Sequence, residues 1–249
     1  MQTGLVSVTF RGLSFGEIID LVKNSGLDVI EWAGDTHCLP GDRDTAYKIA
    51  ESVKNAGLST VSYGSYYTLR EEIDFQDVLD VAVILGAGNI RVWAGAKGSD
   101  EADEEDRRQI SADAQRIADM AKVHGIDISF EYHSHTLTDT LESTVKLLNE
   151  INRDNVYTYF QAPGLSDAED NLSAIKILLD MKKLKNIHVN EWDGTDRVAL
   201  ADVKEKWVRF ISAASPADPA LLLEFVKDDT VEQFYADAKT LIECRNSAI

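Results

Sequence analysis

The chain has 249 residues, 44% of them hydrophobic, and its 43 acidic and 25 basic side chains give a formal net charge of −18 at pH 7. This length can bury a substantial core, and the charge would repel a phosphate backbone, so we expect no nucleic-acid partner. No segment approaches the roughly 20 apolar residues of a membrane span, and the first residues lack a leader pattern, so we expect a cytoplasmic protein without membrane contact.

No linker or low-complexity run divides the sequence, and we therefore expect one domain over residues 1–249. The two cysteines, Cys38 and Cys244, lie far apart and show no C-x-x-C spacing. Such spacing is typical of reduced thiols rather than of a disulfide framework or a zinc knuckle.

The first half of the chain repeats one pattern four times: a short β-prone run, then apolar residues at helical spacing, then a glycine. The predicted strands are Leu5 to Thr9, Leu27 to Ile30, Leu58 to Ser62 and Asn89 to Trp93. The predicted helices, the second of which covers Asp42 to Ala56, end at Gly26, Gly57, Gly86 and Gly125. The acidic run from Ser99 to Asp106 is typical of a solvated loop and a helix N-terminus.

The second half continues the pattern. The fifth strand lies in IDISFEYHSHT, Ile126 to Thr136, and a helix from Leu141 to Ile151 follows it. The remaining predicted strands are Val156 to Phe160, Asn186 to Val189 and Ala220 to Phe225. Their helices carry Leu172 to Leu179, Val198 to Ala213 and Val231 to Leu241.

Eight strand–helix units at roughly 30-residue spacing predict an α/β fold, a (β/α)8 barrel with parallel strands. An open doubly wound sheet is the alternative. It would usually carry a Gly-rich turn after the first strand, but here the turn reads Phe10-Arg11-Gly12-Leu13-Ser14, without G-x-G-x-x-G. The pattern favours the closed barrel.

A barrel of this kind builds its site from the C-terminal ends of its strands, so polar residues that follow the apolar runs are the candidates. Glu131, His133 and His135 follow an alternating apolar run, and Glu224 interrupts another, where an unpaired charge would cost several kcal/mol. His188 lies between Ile187 and Val189, where a core histidine is the alternative. The other strand-end candidates are Glu31, His37, Tyr63, Trp93, Gln161 and Glu191.

Four stretches carry a family resemblance: EWAGDTH at 31–37, SYGSYY at 62–67, RVWAG at 91–95 and LEFVKDD at 223–229. With the order of the strand-end residues, they resemble the sugar phosphate isomerase/epimerase superfamily, whose xylose isomerase-like barrels include ketose 3-epimerases and inosose dehydratases. The resemblance covers essentially the whole chain and implies an enzyme acting on a small-molecule sugar or sugar phosphate. It does not identify the sugar, and it leaves a homo-oligomer open.

The resemblance also implies a metal site. The family binds one divalent cation through a glutamate, an aspartate, a histidine and a glutamate after the fifth to eighth strands. These positions are Glu131, Gln161, His188 and Glu224 here, so Gln161 departs from the pattern. Two carboxylates, an amide oxygen and an imidazole suit Mn²⁺, Mg²⁺, Co²⁺ or Zn²⁺.

In the family's epimerases the two glutamates exchange protons with the substrate, which implies Glu131 and Glu224 as the catalytic pair, working through a metal-stabilised enediolate. A lyase that dehydrates a polyol or keto-inositol, and a non-catalytic sugar-binding barrel, are the alternatives, and a DNA endonuclease is disfavoured by the charge. The residues predicted to contact substrate are Glu31, His37, Tyr63, Trp93, His133, Glu191 and Trp192.

Overall fold

The computed structural model describes residues 1–69, 73–162 and 167–248. The strands within these ranges are β1 (Thr3–Val6), β2 (Val29–Ala33), β3 (Ser59–Thr68), β4 (Asn89–Trp93), β5 (Asp127–Phe130), β6 (Val156–Gln161), β7 (Leu184–Val189), β8 (Trp192–Asp193), β9 (Asp196–Arg197) and β10 (Ala220–Leu223). The α-helices are α1 (Phe15–Ser25), α2 (Arg43–Ala56), α3 (Phe75–Leu85), α4 (Glu104–Lys122), α5 (Leu141–Ile151), α6 (Ala168–Asp180), α7 (Lys204–Ala214) and α8 (Val231–Ala248).

The large sheet is a closed barrel with the strand order β1-β10-β7-β6-β5-β4-β3-β2, and β8 and β9 form a separate antiparallel pair. The pairs whose register is defined within the barrel are parallel, as helical crossovers require. The predicted (β/α)8 fold class is therefore confirmed.

The contacts along the chain also group it into two compact units. The first comprises Met1–Glu31, Glu51–Ser59 and Phe160–Ile249, and the second comprises Trp32–Ala50 and Thr60–Tyr159. One domain over residues 1–249 stays a prediction.

In the first unit β1 lies between β10 and β2, so that Leu5 pairs with both Leu223 and Ile30. These apolar side chains are fully or almost fully buried, as are Val22 of α1 and Phe234 of α8. The sheet and its covering helices thus bury a common apolar layer, which holds the ends of β2, β7 and β10 in place.

In the second unit, buried polar side chains of β3, β4, β5 and β6 form a hydrogen-bonded network. Asn89 Nδ2 donates to Ser62 Oγ over 3.0 Å and to Tyr159 Oη over 2.9 Å, and its Oδ1 accepts from Ser129 Oγ over 2.6 Å. Each of these buried groups therefore has a partner, as burial in an apolar interior demands.

The helix limits follow from local chemistry. Ser14 and Glu17 form a capping box at the start of α1, and Gly26 ends that helix with φ +77°. Asp103 and Asp106 form a second capping box at the start of α4. The acidic run that precedes α4 thus supplies its N-cap, as the sequence predicts.

The structure differs from the sequence-based limits at several places. β1 ends at Val6 rather than at Thr9, because Ser7–Phe10 form a 3-10 helix. β3 continues to Thr68, well past the predicted end at Ser62, because its aromatic residues Tyr63 and Tyr67 are buried. The helix predicted from Val198 begins as a 3-10 turn at Leu200–Val203 and becomes α7 at Lys204. The last barrel strand ends at Leu223, two residues before Phe225, whose φ of +56° is incompatible with a strand.

None of the described helices combines the length and the apolar character that crossing a membrane requires.

Candidate functional site

The first unit contains a buried group of four polar side chains, Glu31, His188, Asn190 and Glu224, which we call the histidine cluster. Glu31 belongs to β2, His188 to β7, and Glu224 follows β10. Two contacts explain the placement: Leu222 of β10 pairs with His188, and the Glu224 amide donates to the Val189 carbonyl over 3.2 Å. The parallel register therefore brings the ends of β7 and β10 to the same level.

Both ring nitrogens of His188 face a carboxylate. Nε2 lies 3.3 Å from Glu31 Oε1, and Nδ1 lies 3.3 Å from Glu224 Oε2. Burial lowers the pKa of His188, but the charges and hydrogen bonds of Glu224 and Glu31 outweigh it and raise the pKa to about 10. Without a metal the ring therefore carries a proton at neutral pH and lies as a cation between two carboxylates.

Asn190 completes the cluster, and the sequence analysis did not select it. Its Nδ2 donates to Glu224 Oε2 over 3.0 Å, while its Oδ1 is buried and has no hydrogen-bond partner in the described part of the chain. A signal was available: Asn190 lies two residues after His188, and the two-residue period of an extended chain brings both side chains to the same face.

The second unit holds Glu131 at the end of β5. Its Oε2 accepts a hydrogen bond from Trp93 Nε1 over 2.6 Å and forms an ion pair with Arg91. Arg91 is only 1% exposed, and its guanidinium also lies 4.6 Å above the ring centroid of Tyr66. Because two donors from β4 converge on one oxygen, the carboxylate is held in a defined orientation.

The loop after β5 is fixed by its own threonines. Thr138 Oγ1 donates to the Glu131 carbonyl over 2.6 Å, and Thr136 Oγ1 donates to the His133 carbonyl over 2.7 Å. The His133 ring stacks on Trp93 with centroids 4.8 Å apart, whereas His135 is exposed with φ +60°. Of these two histidines, His133 is the one that the structure places beside the Glu131 contacts.

Two more predicted residues lie in the second unit. Tyr63 is fully buried and donates from its hydroxyl to the Cys38 carbonyl over 2.7 Å, and burial raises its pKa above the usual range. His37 is nearly buried, with its ring edge-on to Trp32 at 6.1 Å. The hydroxyl of Tyr63 thus supports the chain at Cys38, and the substrate-contact role predicted for both residues stays a prediction.

The predicted residues after β7 have partners of their own. Glu191 is nearly buried and pairs with Lys206 Nζ over 2.6 Å. Trp192 is half-buried, and the Arg197 guanidinium lies 5.1 Å from its ring and 4.9 Å from that of Phe225. The β8–β9 pair therefore presents an aromatic and cationic surface directly after the strand that carries His188.

In the first unit His188 Nδ1 and Glu224 Oε2 lie 3.3 Å apart, and in the second unit Glu131 offers a buried carboxylate. Two carboxylate oxygens and one imidazole nitrogen are donors that a divalent cation accepts. The side-chain oxygen of Gln161 is buried without a hydrogen-bond partner in the described ranges. An acceptor left in this way suits a cation ligand, so the residues present fit one divalent metal ion.

Comparisons with known proteins agree with the fold. The profile of a family described as xylose isomerase-like TIM barrel matches residues 19–212. A 3-dehydroshikimate dehydratase of Bacillus anthracis is 26% identical over 168 residues, a match that spans 63% of this chain and 60% of that relative's length.

Two solved structures are similar over almost their full length. The probable 3-DHS dehydratase from Bacillus anthracis superposes with a TM-score of 0.81 at 21% identity, covering 97% of this chain and 99% of that one. The D-allulose 3-epimerase from a Methylomonas species superposes with a TM-score of 0.74 at 17% identity, covering 98% of each chain. At these identities the likeness is one of fold.

Proposed function

Because the chain belongs to the xylose isomerase-like TIM-barrel family, we propose that it is an enzyme that moves a proton at a carbon next to the carbonyl of a sugar. Isomerases and epimerases catalyse such a step. The observation that carries the proposal is the buried histidine cluster of the first unit, in which His188 Nδ1 lies 3.3 Å from Glu224 Oε2. Two carboxylates beside one cation site supply both metal ligands and proton-transfer groups.

Glu131, His188 and Glu224 would hold the divalent cation, with the Gln161 side-chain oxygen as a fourth ligand. When bound, the cation would stabilise the negative charge that develops on the substrate's carbonyl oxygen as the neighbouring C–H bond breaks. Which of the metals Mn²⁺, Mg²⁺, Co²⁺ and Zn²⁺ binds is open, since oxygen ligands favour the first two and imidazole favours the others.

Glu224 is suited to take the proton. In the described part of the chain its polar contacts go to Oε2, from Asn190 and His188. The other oxygen, Oε1, accepts the proton from carbon, and the electron pair of the broken C–H bond moves toward the carbonyl. Glu131 is held by Arg91 and Trp93 through its own Oε2. In an epimerase a protonated Glu131 gives its proton to the opposite face of the same carbon, and exchange with solvent then removes the proton from Glu224 and restores that of Glu131, so that protons balance over the cycle.

A dehydratase is the second candidate, and one observation favours it: the 26% identical relative is a 3-dehydroshikimate dehydratase. The first step would be the same removal of a proton next to a carbonyl. The second would differ, because a hydroxyl group must then leave as water, and that requires a proton donor at the leaving oxygen rather than at carbon.

Nuclear magnetic resonance in D₂O distinguishes these reactions. The metal-replete protein is incubated with ketoses, aldoses, keto-inositols and 3-dehydroshikimate. An epimerase or isomerase incorporates deuterium at the reacting carbon, whereas a dehydratase yields a product that has lost water. Saturable binding with neither result would instead mean a binding protein and would overturn the proposal.

Two variants test the residues. Glu131→Gln and Glu224→Gln should each lower turnover by roughly 10² or more, because glutamine cannot transfer the proton. Asp237→Asn is the matched control, since Asp237 is also a buried carboxylate but accepts its hydrogen bonds from the Leu200 amide and Gln233. Full turnover in both glutamine variants would exclude the roles given to these residues.

A further inference from the structure

We infer that Glu31 is the positioning residue for His188: it holds the imidazole so that Nδ1 is the nitrogen presented to the cation. This inference rests on the proposed metal site. It differs from the substrate contact that the sequence predicts for Glu31, and it is open to test without a substrate.

Glu31 lies in a buried environment in which its carboxylate contacts the His188 ring. Glu31 is 0% exposed, in a strand whose five residues are all buried. An ionised carboxylate in such a place requires hydrogen-bonding or charged partners. His188 Nε2 is one, 3.3 Å from Glu31 Oε1. A sugar would reach this carboxylate only if the packed strand end rearranged, whereas the imidazole already contacts it.

The geometry of the ring carries the second step. The two nitrogens lie on different edges of the imidazole, and His188 turns Nε2 to Glu31 and Nδ1 to Glu224 Oε2. Glu224 is itself one of the proposed metal ligands, so Nδ1 is the nitrogen on the side of the proposed cation. When Nδ1 gives its lone pair to a cation, Nε2 carries the hydrogen and donates it to Glu31. This arrangement fixes both the tautomer and the ring orientation.

A ring without this acceptor would lose its orientation. His188 is 0% exposed, so no water in the surroundings can replace the carboxylate readily. Loss of the Glu31 carboxylate would weaken the hold on Nε2 and favour ring rotations that turn Nδ1 away from Glu224. Metal affinity should therefore depend on the acceptor at position 31, although Glu31 itself does not bind the cation.

Calorimetric titration with Zn²⁺, in the absence of any substrate, tests the inference. We expect Glu31→Ala to weaken Zn²⁺ binding by about 10- to 100-fold, the usual cost of removing an outer-shell partner. Glu31→Gln should lose less Zn²⁺ affinity than Glu31→Ala, because the amide oxygen of glutamine can still accept the Nε2 hydrogen. Asp237→Asn, which removes a buried carboxylate outside the histidine cluster, should bind Zn²⁺ as the wild type does. Equal affinity in the wild type and both Glu31 variants would overturn the inference, as would equal losses in the two variants.

A second measurement reports the coordinating atom directly and keeps the inference testable if Glu31→Ala does not fold. In the Zn²⁺-loaded protein labelled with ¹⁵N-histidine, the resonances of His188 are assigned by their absence in His188→Gln. We expect Nδ1 to show the shift of a metal-bound nitrogen, and Nε2 to carry a slowly exchanging hydrogen that exchanges faster in Glu31→Gln. Coordination through Nε2, or no Zn²⁺ binding by the wild type, would overturn the inference. Zn²⁺ binding as described without turnover of any carbonyl substrate would overturn the proposed function alone.

Discussion

The side-chain amide of Asn190 donates a hydrogen bond from Nδ2 to Oε2 of Glu224 over 3.0 Å. The same oxygen lies 3.3 Å from His188 Nδ1. The reverse orientation of the amide would place its oxygen against the carboxylate and is excluded by repulsion. Asn190 thereby holds Oε2 of Glu224, and under the proposed function it would orient the carboxylate for proton transfer without contacting the reacting carbon.

Substitutions of Asn190 should therefore reduce turnover more than substrate affinity. Asn190→Ala removes a hydrogen bond to a charged group, a loss of about 1.5–3 kcal/mol, which corresponds to roughly 10- to 100-fold in kcat. Asn190→Asp keeps the size of the side chain but places an oxygen against Oε2, and it should be the slower variant. The check is kcat and KM for the substrate that the D₂O screen identifies. Equal kcat in both variants and the wild type would show that Asn190 does not orient Glu224.

Gln161 has an uncharged side-chain oxygen at the position where the family that the sequence resembles has an aspartate. We expect Gln161→Asp to bind divalent cations more tightly than the wild type, because a carboxylate adds a negative charge to the same ligand position. Calorimetric titration with Mn²⁺ and Mg²⁺ measures the change, with Gln161→Asn as the uncharged control. Unchanged affinity in a folded Gln161→Asp protein would mean that Gln161 is not a ligand.

The pKa of His188 predicts how the metal-free protein responds to pH. The folded-state pKa of about 10 lies above the value of about 6.5 expected in the unfolded chain, so the charged ring stabilises the fold. This contribution is fully present below pH 6.5 and is lost as the pH rises through 10. We expect urea unfolding in the presence of a chelator to show a difference in the free energy of unfolding between the wild type and His188→Gln. This difference should narrow from pH 6 to pH 10. A gap of constant size would contradict the prediction.

The buried ion pair between Arg91 and Glu131 should contribute more to the free energy of unfolding than an exposed ion pair does. Arg91→Met leaves the Glu131 carboxylate buried without the guanidinium, and we expect the free energy of unfolding to fall by about 3–5 kcal/mol. Arg43→Met is the control, because Arg43 is 58% exposed and its pair with Asp80 should contribute about 0–1 kcal/mol. Denaturant unfolding of the metal-free variants provides both values, and equal losses would contradict the prediction.

The sequence predicts the fold well because each strand–helix unit carries its own signals. The glycine after α1 has the left-handed φ that ends a helix, and α5 covers the predicted Leu141 to Ile151. Glu131 follows an apolar run, and His188 and Glu224 each lie within one, which marks all three as candidates. These features depend on neighbours within a few residues, which a single sequence displays directly.

The partners within the site could not be predicted in the same way. His188 and Glu31 are 157 residues apart in sequence and meet only because the strands pair in one register. Arg91 and Glu131 are 40 residues apart in sequence, and their ion pair likewise forms only through strand pairing. The β8–β9 pair was missed because two-residue strands have no detectable alternation.

The pairing of β1 with β10, described above as part of the first unit, has a consequence for the order in which the protein is made. Thr3 of β1 pairs with Leu221 of β10, which is synthesised much later. Until Leu221 emerges from the ribosome, one edge of β1 has unpaired amide and carbonyl groups. Glu224 follows directly after β10, so the proposed cation ligands are all present only after this strand has been synthesised. Until β10 has been synthesised, such an unpaired edge can pair with strands of other chains.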